Sequence, residues 1–507
     1  MSGIRGPFYS AVAVILLTAC GSNSTTSEVA TSTARGTLIE SPPLRIASLD
    51  AAAFTAQLSA TATGQELLEL AGTPTCGVDF YYVQYWTVGG ANEAATATGA
   101  LMVPTGTGAS CSGPRPIVMY AHGTTTDKTF NIADITNTSN TQGALIAALF
   151  AAQGYIVVAP NYAGYDTSSL SYHPFLNGGQ QSKDMIDALT AARTALPLTL
   201  AAATSDNGQL FITGYSEGGY VAMATHKALQ IAGETVTASA PASGPYVLSA
   251  FFDAVFYGDV NIGSTEFTPL ITTSYQRAYG NIYSATTDIY EPAYATGIDT
   301  LLPSTTPIDT LFEEGKLPET ALFSSTPPVT GNAVLDAALA VPKNPIFALG
   351  FGASNLINND YRLSYVLDAV AHPDGAAPVP QPGLPLPAGP TNTLRIAAGL
   401  NDMRSWAPHA PMLLCGGDQD PTVFFSLNTG TMQAFWAAAG VPAEVVTVLD
   451  VNAAVAPHDP FAAAKVGFQT TEAEILASQG QTAAVESYHA TVLPFCIAAA
   501  RGFFSQF

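Results

Sequence analysis

Residues 209–230 read Gln-Leu-Phe-Ile-Thr-Gly-Tyr-Ser-Glu-Gly-Gly-Tyr-Val-Ala-Met-Ala-Thr-His-Lys-Ala-Leu-Gln. The first six are apolar and β-branched, as a buried strand requires. The last eleven are rich in small residues and helix formers. Between them Gly214-Tyr-Ser-Glu-Gly-Gly219 sets Ser216 at the centre of a G-x-S-x-G pattern. A strand that turns within a few residues into a helix forces the central serine into a strained backbone conformation. Glycines are needed at 214 and 218 because a side chain there would strike the neighbouring elements. The turn aims the hydroxyl into solvent, at the carboxyl edge of a sheet and the amino end of a helix.

The flanks repeat the rhythm. Asp79–Val88 is an aromatic, β-branched strand and Ala95–Pro104 its antiparallel partner. Arg115-Pro-Ile-Val-Met-Tyr-Ala-His-Gly123 is a buried strand, 142–153 a helix, Tyr155–Pro160 a strand, 182–196 a helix, and Thr235–Pro241 a strand. Strands alternating with helices predict an α/β fold, a mainly parallel sheet covered on both faces. From 246 to 408 the alternation stops, and this run is expected to form a largely helical cap insertion. Its proline-rich stretch, 371–390, reads as an extended loop. The pattern resumes with a strand at Ala410–Gly417, a helix at 422–439, a strand at Ala443–Leu449 and two closing helical stretches. The expected core is thus split into 41–245 and 409–507.

The chain has 507 residues, of which 48% are hydrophobic and 11% charged, with a net charge of −22. So acidic a surface speaks against nucleic acid or anionic membrane as a partner. At the amino terminus Arg5 precedes a short apolar run, Ala11–Leu17, and then Leu17-Thr-Ala-Cys-Gly21. This resembles a bacterial lipobox: a signal peptide over 1–19, cleavage before Cys20, and lipid on that cysteine. A plain secretory signal is the alternative. Either implies export, and the first a protein lipid-anchored to the cell envelope by a Ser/Thr-rich tether over 20–40. No other stretch reads as long and apolar enough to cross a membrane. Four cysteines remain and allow three pairings. Cys76–Cys111 and Cys415–Cys496 are preferred, since each pair lies in one half of the chain. No spacing suggests a metal.

A serine hydroxyl needs a base to take its proton and a third group to orient that base. In this strand-turn-helix architecture the acid and the histidine follow the nucleophile in that order. Gly416-Gly-Asp-Gln-Asp-Pro-Thr-Val423 leaves the resumed strand, and Asp420 is the preferred acid, with Asp418 the alternate. One of the two is expected merely to cap the next helix. Of seven histidines only His458 and His489 follow the acid. His489, placed just ahead of the final helix, is preferred, because a Cys415–Cys496 bridge would staple the acid loop to it. His458 is the alternate. The amide of Glu217 and that of Thr124, in the loop after Tyr120-Ala-His-Gly123, are the expected oxyanion donors. His122 is read as a buttress of that loop. Phe251, Phe252, Phe256 and Tyr257 suit hydrophobic acyl groups, or simply pack the cap.

Ala121-His-Gly-Thr, Tyr172-His-Pro-Phe-Leu, the 214–219 turn, Gly417–Val423 and His489 with its Leu493-Pro-Phe together resemble the α/β-hydrolase superfamily, and within it the secretory lipases typified by fungal lipase A enzymes. The resemblance implies hydrolysis of carboxylic esters through an acyl-enzyme, with a small-molecule or lipid ester as substrate and no cofactor. A serine peptidase on the same fold is a second reading, although no peptide-amine anchor or propeller is legible. A catalytically inactive surface-binding protein is a third.

Overall fold

The computed structural model describes residues 34–137, 140–201, 203–342, 344–374 and 389–507. The lipobox, Cys20, the expected signal peptide and most of the proline-rich stretch lie outside these residues. The described residues form eleven strands: β1 (Leu44–Leu49), β2 (Gly77–Val88), β3 (Ala94–Thr105), β4 (Gly113–Ala121), β5 (Ile156–Pro160), β6 (Thr204–Tyr215), β7 (Ala238–Ala242), β8 (Phe323–Ser324), β9 (Phe351–Gly352), β10 (Met412–Gly416) and β11 (Val446–Asp450). Nine form one sheet in the order β1-β2-β3-β5-β4-β6-β7-β10-β11. From β5 to β11 neighbours run parallel; β1, β2 and β3 are antiparallel. This is the expected α/β architecture, with the predicted hairpin Gly77–Thr105 at one side.

Alternation along the strands divides the core in two. Ile117, Met119 and Ala121 of β4 face the helices Gly178–Ala195 and Glu217–Ile231 and the 246–408 insertion. Val118 and Tyr120 face the opposite way, toward Thr141–Leu149 and the closing helix Gln481–Phe504. A period of two on a sheet buried on both sides gives near-continuous apolar runs such as Ile117–Ala121. The insertion is mainly helical, with Leu248–Tyr257, Ser264–Tyr279, Asn359–Ala371 and Thr393–Leu400 its longest elements. β8 and β9 form a small parallel pair within it.

Several expectations are corrected. The tether was expected to run to residue 40, but residues 34–40 already belong to the body. Gly36 N–H reaches Trp86 O at 2.7 Å and Ile39 N–H reaches Gln84 O at 2.8 Å. The outer edge of β2 would otherwise leave its backbone groups unpaired, and this segment, with β1, covers them. The strand expected at 235–241 starts three residues later, at Ala238. The helix expected from 422 opens as a π-turn at Ser426–Gly430, because 420–424 is occupied by the acid loop. His489 does not precede the closing helix but lies inside it, upstream of Pro494. That helix is also long and apolar enough to span a bilayer by length and composition, contrary to expectation. Here its apolar face packs on the sheet, with Val492, Cys496, Ile497 and Phe504 buried.

Candidate active site

β6 delivers Ser216 at its carboxyl end with φ 60° and ψ −123°, a conformation that costs a non-glycine residue energy and persists only where the surroundings fix it. The surroundings do fix it. A Cβ on Gly218 would lie 2.0 Å from Ala121 O, and one on Gly214 2.3 Å from Gly218 O. The Ser216 N–H donates to Ala242 O at 3.0 Å, tying the turn to β7.

The closing helix brings His489 over this serine. Its Nε2 is 2.9 Å from Ser216 Oγ and its Nδ1 is 2.6 Å from Asp420 Oδ2. Asp420 is buried, and its other oxygen accepts the N–H groups of Thr422 at 2.9 Å and Val423 at 3.0 Å. These two bonds fold the acid loop on itself, so each Asp420 oxygen has its own task, and the expected helix cap is absent: the next helix starts after Phe425 with no side-chain cap. Asp418 is exposed and accepts from Asn452 Nδ2 at 2.7 Å. His458 is exposed, in a turn with φ 63°. The structure thus brings Ser216, His489 and Asp420 together and leaves Asp418 and His458 elsewhere. Disulfides join Cys415 to Cys496 and Cys76 to Cys111. The first ties the end of β10, which feeds the acid loop, to the helix that carries His489.

Three neighbours escaped the sequence. Tyr215, beside the nucleophile, lies tilted against the His489 ring with centroids 4.9 Å apart and donates to the His489 carbonyl. Burial, then the Asp420 charge, keeps this phenol neutral. Gln142 Oε1 accepts from Tyr120 Oη at 2.7 Å and from the Gly123 N–H at 3.1 Å, fixing the loop that leads to Thr124. Glu217 turns its carboxylate away from the serine, into the interior, where it meets His173 and Gln181. Only the Tyr172-His-Pro-Phe-Leu motif hinted at this partner. His122 is fully buried, stacked on Tyr162 at 4.1 Å. Burial pushes its imidazole down, and the Glu217 charge opposes that.

Thr124, Ser216 and Glu217 open into one apolar pocket walled by Phe175, Phe251, Phe252, Phe256 and Phe267. Phe251, Phe252 and Phe256 belong at once to the insertion's core and to this wall. Tyr257 is not among its lining residues.

The model of the prolyl oligopeptidase family matches residues 142–237, the segment that contains the nucleophile turn but neither Asp420 nor His489. No curated protein matches the sequence at a significant level. Among solved structures, the rice cell wall degrading esterase LipA from Xanthomonas oryzae is 23% identical, with 94% of this chain and 99% of that one covered and a TM-score of 0.65. A protein of Legionella pneumophila is 18% identical over 92% of this chain and 97% of its own, with a TM-score of 0.62. Candida antarctica lipase A is a looser likeness at 11% identity, with 91% of each chain covered and a TM-score of 0.48. The order of the sheet, the nucleophile turn and the solved structures agree that the chain has the α/β-hydrolase fold.

Proposed function

We propose that this chain is a serine hydrolase that cleaves hydrophobic carboxylic esters. The observation that carries the reading is the continuous path Ser216 Oγ–His489 Nε2 at 2.9 Å and His489 Nδ1–Asp420 Oδ2 at 2.6 Å, at the mouth of an apolar pocket. Ser216 Oγ attacks the ester carbonyl while its proton passes to His489 Nε2. The Glu217 and Thr124 amides hold the oxyanion. Collapse breaks the ester bond, and His489 returns the proton to the departing alcohol. Water then repeats the sequence on the acyl-enzyme and releases the acid. Asp420 keeps the Nδ1–H tautomer and stabilises the transient imidazolium. The phenylalanine walls favour an apolar acyl group, and no charged side chain is among the lining residues other than Glu217.

The test is Ser216→Ala assayed on nitrophenyl esters of graded acyl length. Turnover should fall by about 10⁴-fold or more, and fluorophosphonate labelling should vanish. Turnover persisting near the wild-type rate would refute the reading. The prolyl oligopeptidase match supports a second reading, a peptidase, so peptide amides belong in the same assay. Cleavage of amides without esters would select it. Two disulfides fit an exported protein. Lipid attachment at Cys20 is part of the proposal, and Cys20→Ala should move the enzyme from membrane to soluble fractions.

A further inference from the structure

Directly beneath the nucleophile lies a buried set of titratable groups for which the reaction has no stated use. Glu217 is the first residue of the Glu217–Ile231 helix and is 1% exposed; His173 is 1% and Gln181 0% exposed. His173 Nδ1 is 2.9 Å from Ala163 O, and its Nε2 is 2.6 Å from Glu217 Oε1. Gln181 Nε2 donates to the same oxygen at 2.6 Å.

We propose that His173 and Glu217 share one proton, held between Nε2 and Oε1, and that this pair is a positioning device for the Glu217 amide behind Ser216. The proposal rests on the ester-hydrolase reading for its kinetic consequence, but not for the proton itself. A carbonyl oxygen only accepts, so Nδ1 must carry a hydrogen to use Ala163 O. With Nδ1–H in place, a neutral ring offers a lone pair at Nε2. A lone pair 2.6 Å from a carboxylate oxygen is repulsive in a dry interior. One proton between them removes the repulsion, and either charge description leaves the pair neutral as a whole. The distance is that of a charge-assisted hydrogen bond.

Two tyrosines, a carboxyl and a second imidazole face the pair. Tyr162 and Tyr165 flank the His173 ring at 5.6 and 4.7 Å, and burial keeps both phenols protonated. Asp184 faces the pair through one peptide, accepting the Ala163 N–H at 2.6 Å and Tyr85 Oη at 2.7 Å. Burial pushes its carboxyl up to about 6. On the other side His122 sets Nδ1 2.7 Å from Gly123 O and Nε2 3.1 Å from Asn161 O. The pair and His122 thereby brace both loops expected to donate to the oxyanion. Glu217 cannot move its amide alone, because Gly218 and Gly219 sit against Ala121 O and Ala242 O with no room for a Cβ. An anchored side chain therefore fixes the amide, and a misplaced donor costs rate rather than substrate affinity.

Two measurements on the full chain test this. With ¹⁵N-labelled histidine, the wild type should show a far-downfield proton coupled to His173 Nε2 at neutral pH. It should survive Ser216→Ala and disappear in Glu217→Gln. An unprotonated His173 Nε2 in the wild type overturns the proposal, whether or not the protein hydrolyses esters. In the kinetic arm, Glu217→Gln, whose amide can still donate to a neutral Nε2, should lower kcat about tenfold with KM nearly unchanged. Glu217→Leu, which removes the acceptor that Gln181 and His173 share, should lose more. Wild-type kcat in Glu217→Gln, alongside Ser216-dependent turnover in the parent, would sink the positioning role. Absence of Ser216-dependent turnover in the parent would instead sink the ester-hydrolase reading.

Discussion

The sheet that carries Ser216 and the insertion that covers it are held together by opposite means. In the sheet, backbone ladders run through nine strands, and apolar side chains fill both of its faces. Among its described residues the insertion has the short β8–β9 pair and a single bridge from Tyr290 to Ile357, and buried arginines tie it together instead. Arg395 is fully buried and grips Asp253 through Nε and Nη2 at 2.9 and 2.8 Å, with Nη1 on Asp368 at 2.8 Å. Arg404, in the loop after Thr393–Leu400, holds Asp402 beside it and Asp374 from the segment after Asn359–Ala371. Where the backbone cannot pair strand to strand, short helices need side-chain ties that fix direction, and a planar guanidinium with several donors supplies them. The comparison predicts that damage near the nucleophile shows as lost chemistry, and damage in the insertion as lost stability.

The largest effect should come from the sheet side. Asp420→Asn keeps an oxygen for the Thr422 and Val423 amides, so the acid loop stays formed. It also turns the group facing His489 Nδ1 into one that no longer demands a donated hydrogen there. We expect kcat to fall about 10⁴-fold with the melting temperature unmoved. Asp418→Asn should stay within about twofold, being an exposed change. Equal losses in the two variants would break the assignment. In the insertion, Asp253→Ala leaves the Arg395 charge buried with one of its two carboxylates and frees Tyr365 Oη, which donates to Asp253 at 2.9 Å. That should cost about 3–5 kcal/mol in urea unfolding. A stability loss below about 1 kcal/mol would mean that packing, not ion pairing, holds the insertion.

The two regions also differ in how far they could be read in advance. The turn at 214–219 is local: six residues and steric exclusion define it, so Ser216 and its strand and helix were legible. Asp420 and His489 were legible through chain order and the cysteines around them. The place of His489 inside a helix was not, because Pro494 argues locally for a helix that begins later. Packing of Val492, Cys496 and Ile497 on the sheet overrides that local cost. β1 was missed since Leu44 and Ile46 are exposed and give no alternation. The role of Glu217 was hidden because a carboxylate in a turn reads as solvated. Only the fold says that it points inward. In the insertion some signals were present and unused: Asn358 and Asn392 accept amides of their following helices and mark those starts.

The disulfide between Cys415 and Cys496 couples the two kinds of damage. It closes a separation of 81 residues, against 35 for Cys76–Cys111. Loop entropy grows so slowly with length that the two bonds should differ by less than about 1 kcal/mol, each loss lying near 2–5 kcal/mol. Activity separates them. The paired change Cys415→Ser with Cys496→Ser should lower kcat at temperatures well below its melting point, since it frees the His489 helix from the acid-loop strand. Cys76→Ser with Cys111→Ser should leave kcat unchanged there. Equal kcat in both would show that helix packing alone sets the position of His489.

The smallest effect is a contrast of sign in the pH dependence of stability. In the insertion, burial pushes the Asp368 carboxyl up, but hydrogen bonds from Thr391 and the Arg395 guanidinium outweigh it and hold the group down at about 2. A depressed acid stabilises the fold once the unfolded chain is ionised, above about pH 4. That contribution is lost as pH falls through about 2. Under the nucleophile, burial raises Asp184 to about 6. Here the unfolded carboxyl ionises first, so its stabilising share is present below about pH 4 and is lost as pH climbs toward the folded value. The two steps are worth roughly 2 and 3 kcal/mol respectively. Unfolding free energies measured against pH should therefore lose their acid limb in Asp368→Asn, with the wild-type and variant curves converging toward low pH. Asp184→Asn should instead flatten the decline on the other side, between about pH 4 and the folded value, while leaving the acid limb in place. If both substitutions flattened the same limb, ion pairing in the insertion and desolvation beneath the nucleophile would not be the separate devices the geometry describes.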